Sequence, residues 1–430
     1  MSMLPRILVV LPFYGGSLPV GLRCAEALRE NGCLVDLFAA PAFYDSFKAL
    51  KELKISQNRL DYLESGHIKL VSEAILAQAE RFQPDLLLSM AQAPLSLTAL
   101  KRLKDGHIPT AMWFVEDYRL FVYWRAFAPH YDIFAVIQKE PFLSELRALG
   151  VKNALYLPLA AHPPLHRPLE LSAADKKRFG ADLSFMGAGY PNRRQAFRRL
   201  ASYDFKIWGT EWEGESELAN HVQLRGRRIT AEETVRIFNS SKINVNLHSG
   251  VRRDQEVTGG DFVNPRTFEI AACGAFQLVD RRELLPDLFA PDELAVFENM
   301  DEFISLADYY LPRPEERAEI ARRGRERVLR EHTYARRMRA LLDFAAARLP
   351  GWPRSATDAR SSGELEALPE ALKKNLAELL QSLQIPPSTD FETLISALRA
   401  RSGRLTPLES ALLFLDEWKK QYPGRPANVD

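Results

Sequence analysis

Asn264-Pro265-Arg266-Thr267-Phe268-Glu269-Ile270-Ala271-Ala272-Cys273-Gly274-Ala275-Phe276-Gln277-Leu278-Val279-Asp280 is the stretch on which the reading of this chain turns. It reads as a polar loop, a short helix of small residues, a glycine stop and a buried strand. Pro265 suits the first helical turn, and Gly274 suits a left-handed helix end. Ile270, Ala271 and Ala272 let the helix lie close to a sheet. Arg266 and Glu269, three apart, share one face near the helix start. Free N–H groups at that end attract an anion such as a diphosphate, and Arg266 adds a bidentate contact. Glu269, one turn in, can accept two hydrogen bonds from a vicinal diol. Diphosphate beside diol describes a nucleotide-sugar; the same residues also read as a capped helix with a surface ion pair.

Outward from this stretch the chain alternates short apolar runs with helical spacing. Runs at 6–11, 34–39, 85–89, 110–115 and 133–137 predict five strands, with the first helix at 18–30. Continuous apolar strands separated by helices indicate a parallel sheet covered on both faces, hence a Rossmann-like domain over 1–160. A proline-rich stretch, Leu157-Pro158-Leu159-Ala160-Ala161-His162-Pro163-Pro164-Leu165-His166-Arg167-Pro168, stiffens the chain as an interdomain linker. The alternation then restarts over 170–349, with strands at 183–186, 205–208, 243–247, 276–279 and 294–297 and helices at 315–330 and 334–348. Two such domains leave a cleft between facing strand ends. After a linker at 349–363 rich in Pro, Ser and Gly, apolar residues at helical spacing over 364–422 predict a small appended helical module, either a stabilising cap or a docking site for a protein partner.

Several strand ends carry polar groups. In Met186-Gly187-Ala188-Gly189-Tyr190-Pro191-Asn192-Arg193-Arg194, Gly187 and Gly189 allow close backbone approach, and Arg193 or Arg194 can grip phosphate at a helix start. A dinucleotide fingerprint would need glycine where Asn192 stands, which argues against a nicotinamide cofactor. Asn246 and His248 alternate with apolar neighbours near one strand end, facing either ligand or core. Trp113-Phe114-Val115-Glu116-Asp117-Tyr118-Arg119 ends a first-domain strand in two carboxylates, placed for a general base on an acceptor hydroxyl or for an ion pair with Arg119 or Arg125. The arginine-rich run 322–339 alternates with Glu326 and Glu331 and reads as a solvated helix face. No Asp-x-Asp, His-Glu-x-x-His or Walker-type loop occurs, so neither a metal nor a separate cofactor is expected.

Composition narrows the class. The chain has 430 residues, 46% hydrophobic and 26% charged, with a net charge of +1, ordinary values for a globular protein of two or three domains. Near-neutral charge argues against nucleic acid as a partner. Three cysteines (Cys24, Cys33, Cys273) make no metal or redox spacing and fit a reducing compartment. The apolar start lacks a cleavable signal pattern, and no run reaches the ~18 apolar residues of a membrane span. The expectation is a cytoplasmic protein.

Taken together, these segments resemble the CgeB-like (spore-maturation-type) branch of the group-one-like GT-B glycosyltransferases over roughly residues 1–345. The resemblance is carried by the 113–119 segment, Tyr156-Leu157-Pro158-Leu159-Ala160, the 186–194 segment, 264–274 and His332-Thr333-Tyr334. It implies an α/β GT-B fold: two Rossmann-like domains facing a central cleft, acceptor domain first and nucleotide-sugar donor domain second, with the final helix crossing back to the first. In the related group-one transferases an acidic pair, Glu-x7-Glu, flanks the donor. Glu269 falls on the second, ribose-holding position, and Asp261, a shorter carboxylate, on the first. The implied donor set is Gly187, Gly189, Arg193, Arg194, Asn246, His248, Asp261, Asn264, Arg266, Thr267 and Glu269. Asp117 or Glu116 is the implied base, and Gly15 and Gly16 an acceptor-side loop. The implied reaction is metal-independent transfer of a sugar to a glycan or surface-protein acceptor. A nucleotide-sugar epimerase of the same fold and a non-catalytic binding scaffold are the competing readings.

Overall fold

The computed structural model describes residues 4–252, 254–353, 369–383, 385, 386, 389 and 391–421. Residues 4–350 form one compact unit, and the helices beyond 351 form another. The larger unit holds two sheets whose paired strands all run parallel. The first comprises β1 (Arg6–Val10), β2 (Leu34–Phe38), β3 (Leu86–Met90), β4 (Thr110–Phe114), β5 (Ile133–Val136) and β6 (Ala154–Tyr156), in the order β2-β1-β3-β4-β5-β6. The second comprises β7 (Ala181–Met186), β8 (Phe205–Trp208), β9 (Ser241–Asn246), β10 (Gln277–Asp280) and β11 (Ala295–Phe297), in the order β11-β10-β9-β7-β8. Every residue of β3, β4 and β5 is buried, which explains why these runs are almost wholly apolar instead of alternating.

Both orders reverse direction beside their first strand, between β1 and β3 and between β7 and β9. In open α/β sheets ligands bind in the crevice outside the strand ends at such a reversal. Register brings polar residues together there. Phe114 pairs with Val136, so Glu116 and Gln138, each two residues further on, leave the sheet at the same level.

The helix Pro265–Ala272 begins at Asn264, whose side chain accepts the Thr267 N–H, and ends before Gly274 at φ +65. Proline at the start and left-handed glycine at the end are the reading made from residue types alone. β6 is not foreshadowed in the sequence. It is a half-buried strand of three residues, too short for a periodic signal and overshadowed by the prolines that follow.

The expected final helix, Tyr334–Arg348, packs against the helix Ser17–Glu30 of the first sheet. Its entry is knotted to the linker. Ala161 and Thr333 form a parallel bridge, and Tyr334 packs edge-on against Trp113. Buried Arg337 donates to the carbonyls of Pro158 (2.6 Å), Leu159 (3.3 Å) and Glu331 (3.0 Å) and to Nδ1 of His332 (2.8 Å). The arginine-rich helix Pro314–Glu331 is a ladder of exposed ion pairs, Arg322 with Glu319 and Glu326, Arg327 with Glu331, as its alternating charges suggested.

The second unit consists of the helices Glu370–Ser382, Phe391–Ala400 and Pro407–Gln421 around Leu379, Leu380, Leu394, Ile395 and Leu398. The expected start of this module, 364–368, and its end, Tyr422, lie outside the described residues.

Arg337→Leu strands four acceptors in a dry interior. It is expected to lower unfolding free energy by about 3 kcal/mol or more, measured by urea denaturation.

Candidate functional site

A cavity of about 180 Å³ opens at the reversal of the second sheet. Met186 ends β7, Gly187 and Ala188 follow it along the wall, Asn246 ends β9, and Asn264, Pro265 and Arg266 start the helix. Tyr190 and Arg193 complete the polar side. Two guanidinium groups thus line one cavity, and no carboxylate is among its lining residues.

Arg193 is held entirely by the protein. Its nitrogens donate to the Leu247 carbonyl at 2.8 and 3.0 Å and to the Ala188 carbonyl at 3.0 Å. Its plane lies over Phe185 and Tyr190. Burial, then repulsion from Arg266, pull it down to about 10, so it stays charged at neutral pH. Arg194 takes another direction. It donates to the carbonyls of Gly189, Glu211 and Glu213 and reaches Glu215, so it braces the loop after β8 and does not line the cavity. The sequence reading gave these two neighbours one task; helical geometry separates them.

The glycines serve the same loop. A Cβ on Gly189 would strike the Glu211 carbonyl oxygen. Here close approach is between two protein loops, with Trp212 Nε1 donating to the Gly187 carbonyl (3.1 Å).

Asn264 is fixed from below. Buried Asp280, at the end of β10, accepts from His248 Nδ1 (2.6 Å) and from the His248 N–H (2.9 Å). His248 Nε2 accepts the Asn264 N–H (2.8 Å). A backbone N–H can only donate, so the proton sits on Nδ1 and the ring is neutral. Burial pushes the His248 pKa down against the pull of Asp280. Asp280 stays ionised because His248 and Arg282 outweigh its burial. His248 therefore holds the helix start with both ring nitrogens and, 1% exposed, offers nothing to a ligand. Asn246 likewise spends its amide on Thr267 Oγ1 and Gln277 Oε1 (both 2.9 Å) and accepts from Asn264 Nδ2 (2.9 Å). Thr267 is wholly buried beneath the cap and braces it.

Arg266 lies across the mouth, with Nε on the Met186 carbonyl (3.1 Å) and Nη1 on Glu269 Oε2 (2.7 Å). The ion pair allowed for in the sequence does form. Burial works against the Glu269 charge, but Arg266, His166 and Arg23 hold its pKa below the usual range. His166, from the linker, faces the second oxygen, Oε1, at 3.9 Å.

The remaining acids lie elsewhere. Asp261 does not line the cavity. It accepts from Gln138 Nε2 of the first domain at 2.7 Å and lies 3.5 Å from Arg119. Asp117 stands opposite, 3.3 Å from the same Gln138 nitrogen. Glu116 is turned into its own domain, where it accepts from Tyr123 (2.7 Å) and Gln92; burial raises its pKa. Gly15 and Gly16 border open space, with no atom within 4 Å of where a Cβ would stand, and do not line the cavity. The sequence reading missed Gln138, Asp280 and His166. Asp280 and Gln138 each close an apolar strand run with a polar residue, and that signal could have found them.

Residues 192–343 match a family described as glycosyl transferase-like. The spore protein CgeB of Bacillus subtilis (strain 168) is 26% identical over 257 residues, covering 57% of this chain and 78% of that protein. Among solved structures, sucrose-phosphate synthase from Thermosynechococcus elongatus superposes with a TM-score of 0.55 at 13% identity, over 80% of this chain and 99% of that one. Anabaena Alr3699/HepE, crystallised with UDP and glucose, gives 0.56 at 10% identity, over 80% and 100%. The superpositions define the class of fold, GT-B, and the chain's second half resembles glycosyl transferases in sequence. Within that class the chain is CgeB-like.

Burial, first of all, pushes the His166 imidazole down to about 4. Because the unfolded ring titrates near ~6.5, the unfolded chain gains this proton first as pH falls. The resulting stability is complete above about pH 6.5 and is lost progressively toward about pH 4, on the order of 3 kcal/mol in all. His166→Gln should flatten this part of the stability–pH profile in urea titrations.

Proposed function

We propose that the protein transfers a sugar from a nucleotide-sugar, bound at the second sheet, to a glycan or protein acceptor on the first-domain side, without a metal ion. The observation that carries this reading is the cavity between β7 and β9, lined by two guanidinium groups beside a capped helix start. Fixed positive charge in a partly dry site suits a diphosphate leaving group, whose charge grows as the glycosidic bond breaks. Arg266 and Arg193 supply that charge. Glu269 Oε1, clear of Arg266, is available to a ribose hydroxyl. The complex of Alr3699/HepE with UDP and glucose supports a uridine nucleotide as the first probe.

Asp117 is the base of an inverting reaction, since it borders the interdomain boundary while Glu116 is held inside its own domain. An epimerase acts on the donor alone and needs no base beside an acceptor hydroxyl; a binding scaffold would keep its function without it. Three buried free thiols suit a cytoplasmic setting. The helix Pro407–Gln421 exposes Phe414 and Leu415, which suits docking of a protein partner.

Calorimetry with UDP and UDP-sugars in EDTA tests the donor site. Binding to the wild type, weakened by roughly 1.5–3 kcal/mol in Glu269→Ala, is the expected result. A folded protein that binds no nucleotide diphosphate would overturn the assignment. Asp117→Asn should retain donor affinity yet lose about 100-fold or more in transfer rate. Unchanged turnover, or retention of the donor's anomeric configuration by NMR, removes Asp117 from its role.

A further inference from the structure

Gln138 lies at the carboxyl end of β5 with no exposed surface, and the proposed reaction gives it no task. Its orientation follows from its partners. The Tyr118 N–H points at one end of the amide, at 3.1 Å. A backbone N–H only donates, so that end is the carbonyl oxygen and the other is the NH2 group. The NH2 group reaches Asp261 Oδ1 at 2.7 Å and Asp117 Oδ1 at 3.3 Å. One neutral donor therefore stands between two carboxylates from different domains.

Each carboxylate is also held by its own loop, through the same oxygen that meets Gln138. Asp261 Oδ1 also accepts its neighbour's N–H, from Phe262 at 2.8 Å. The loop carrying it is pinned by Arg282, which donates to the carbonyls of Thr258 (2.7 Å) and Phe262 (3.0 Å). Asp117 Oδ1 accepts the Arg119 N–H at 3.0 Å. Neither acid can turn away without losing the hydrogen bond to its own loop.

We propose that Gln138 is an interdomain clasp: it fastens the Asp261 loop of the donor domain to Asp117, so that domain closure itself orients the base. Asp261, read from sequence as a donor contact, is the donor domain's half of this clasp. Asp117 enters through the reading of it as acceptor-side base, whereas the clasp stands on geometry alone. Gln138 is a positioning residue and touches no substrate.

The charged surroundings set the test. Arg119 is the one cation within ion-pair distance of Asp261 among the described residues. Lys139, next along the chain, pairs across the boundary with Asp287 at 2.8 Å. Tyr156, on the adjacent β6, keeps its hydroxyl buried without a partner. In Gln138→Glu a third carboxylate joins Asp117 and Asp261, with Arg119 as the nearest offset. Like charges this close raise the pKa of one member, and the proton it takes up restores a donor.

The experiment is small-angle scattering on the full chain at pH 8 and pH 5.5, for the wild type, Gln138→Glu and Gln138→Met. The wild type should show one radius of gyration at both values. Gln138→Glu should be expanded at pH 8 and return to the wild-type radius at pH 5.5. Gln138→Met, of similar volume but unable to donate, should be expanded at both. Where transfer is followed, Gln138→Met should lose about tenfold or more in kcat with the donor KM within about twofold. Wild-type compactness of Gln138→Glu at pH 8, or of Gln138→Met should the glutamate variant not fold, overturns the clasp. Full turnover by Asp117→Asn removes the base and leaves the clasp standing, so the two failures are told apart.

Discussion

The half of the molecule built on the second sheet depends on one buried chain of hydrogen bonds, from Asp280 through neutral His248 to the backbone of Asn264. It fixes where the helix Pro265–Ala272 begins relative to the ends of β9 and β10. A helix start is useful to an anion only if its N–H groups and cap hold still. Here the ionised carboxylate lies at the bottom, out of the cavity, and its charge is absorbed by His248 and Arg282. The cavity above keeps the positive character of Arg193 and Arg266.

That division of labour explains why so many polar residues near the site touch only protein. Asn192, Asn246, His248 and Thr267 are all almost wholly buried. Asn192 ties the loop after β9 through Gly250 and the carbonyls of His248 and Glu256. A buried polar group costs stability unless it is satisfied, and satisfied networks hold one geometry. These side chains form a rigid seat beside the cavity.

Contacts of different chemistry join the two domains. The linker and the crossing helix form a dry knot around Arg337. His162, 2.9 Å from Glu26, secures the linker to the first domain, and His166 carries it to Glu269. Along the same boundary Gln138 and Lys139 meet Asp261 and Asp287. The knot is buried and permanent in character; the Lys139–Asp287 pair is exposed and weak, as surface ion pairs are.

The sequence by itself determined the elements and their class. Continuous apolar runs, helical spacing, Pro265 and Gly274 are local signals, and local sterics and burial write them directly into residue order. The Arg266–Glu269 pair was legible for the same reason, since the two are neighbours on a single helical turn. Strand order, the placement of the cavity at the β7–β9 reversal, and the separate fates of Arg193 and Arg194 came only from tertiary structure. So did the burial of His248 between Asp280 and Asn264, and the place of Asp261 beside Gln138. A side chain's partners are set by which strand ends are brought together across the fold, and contacts between residues as distant as Gln138 and Asp261 leave no periodic trace in the chain.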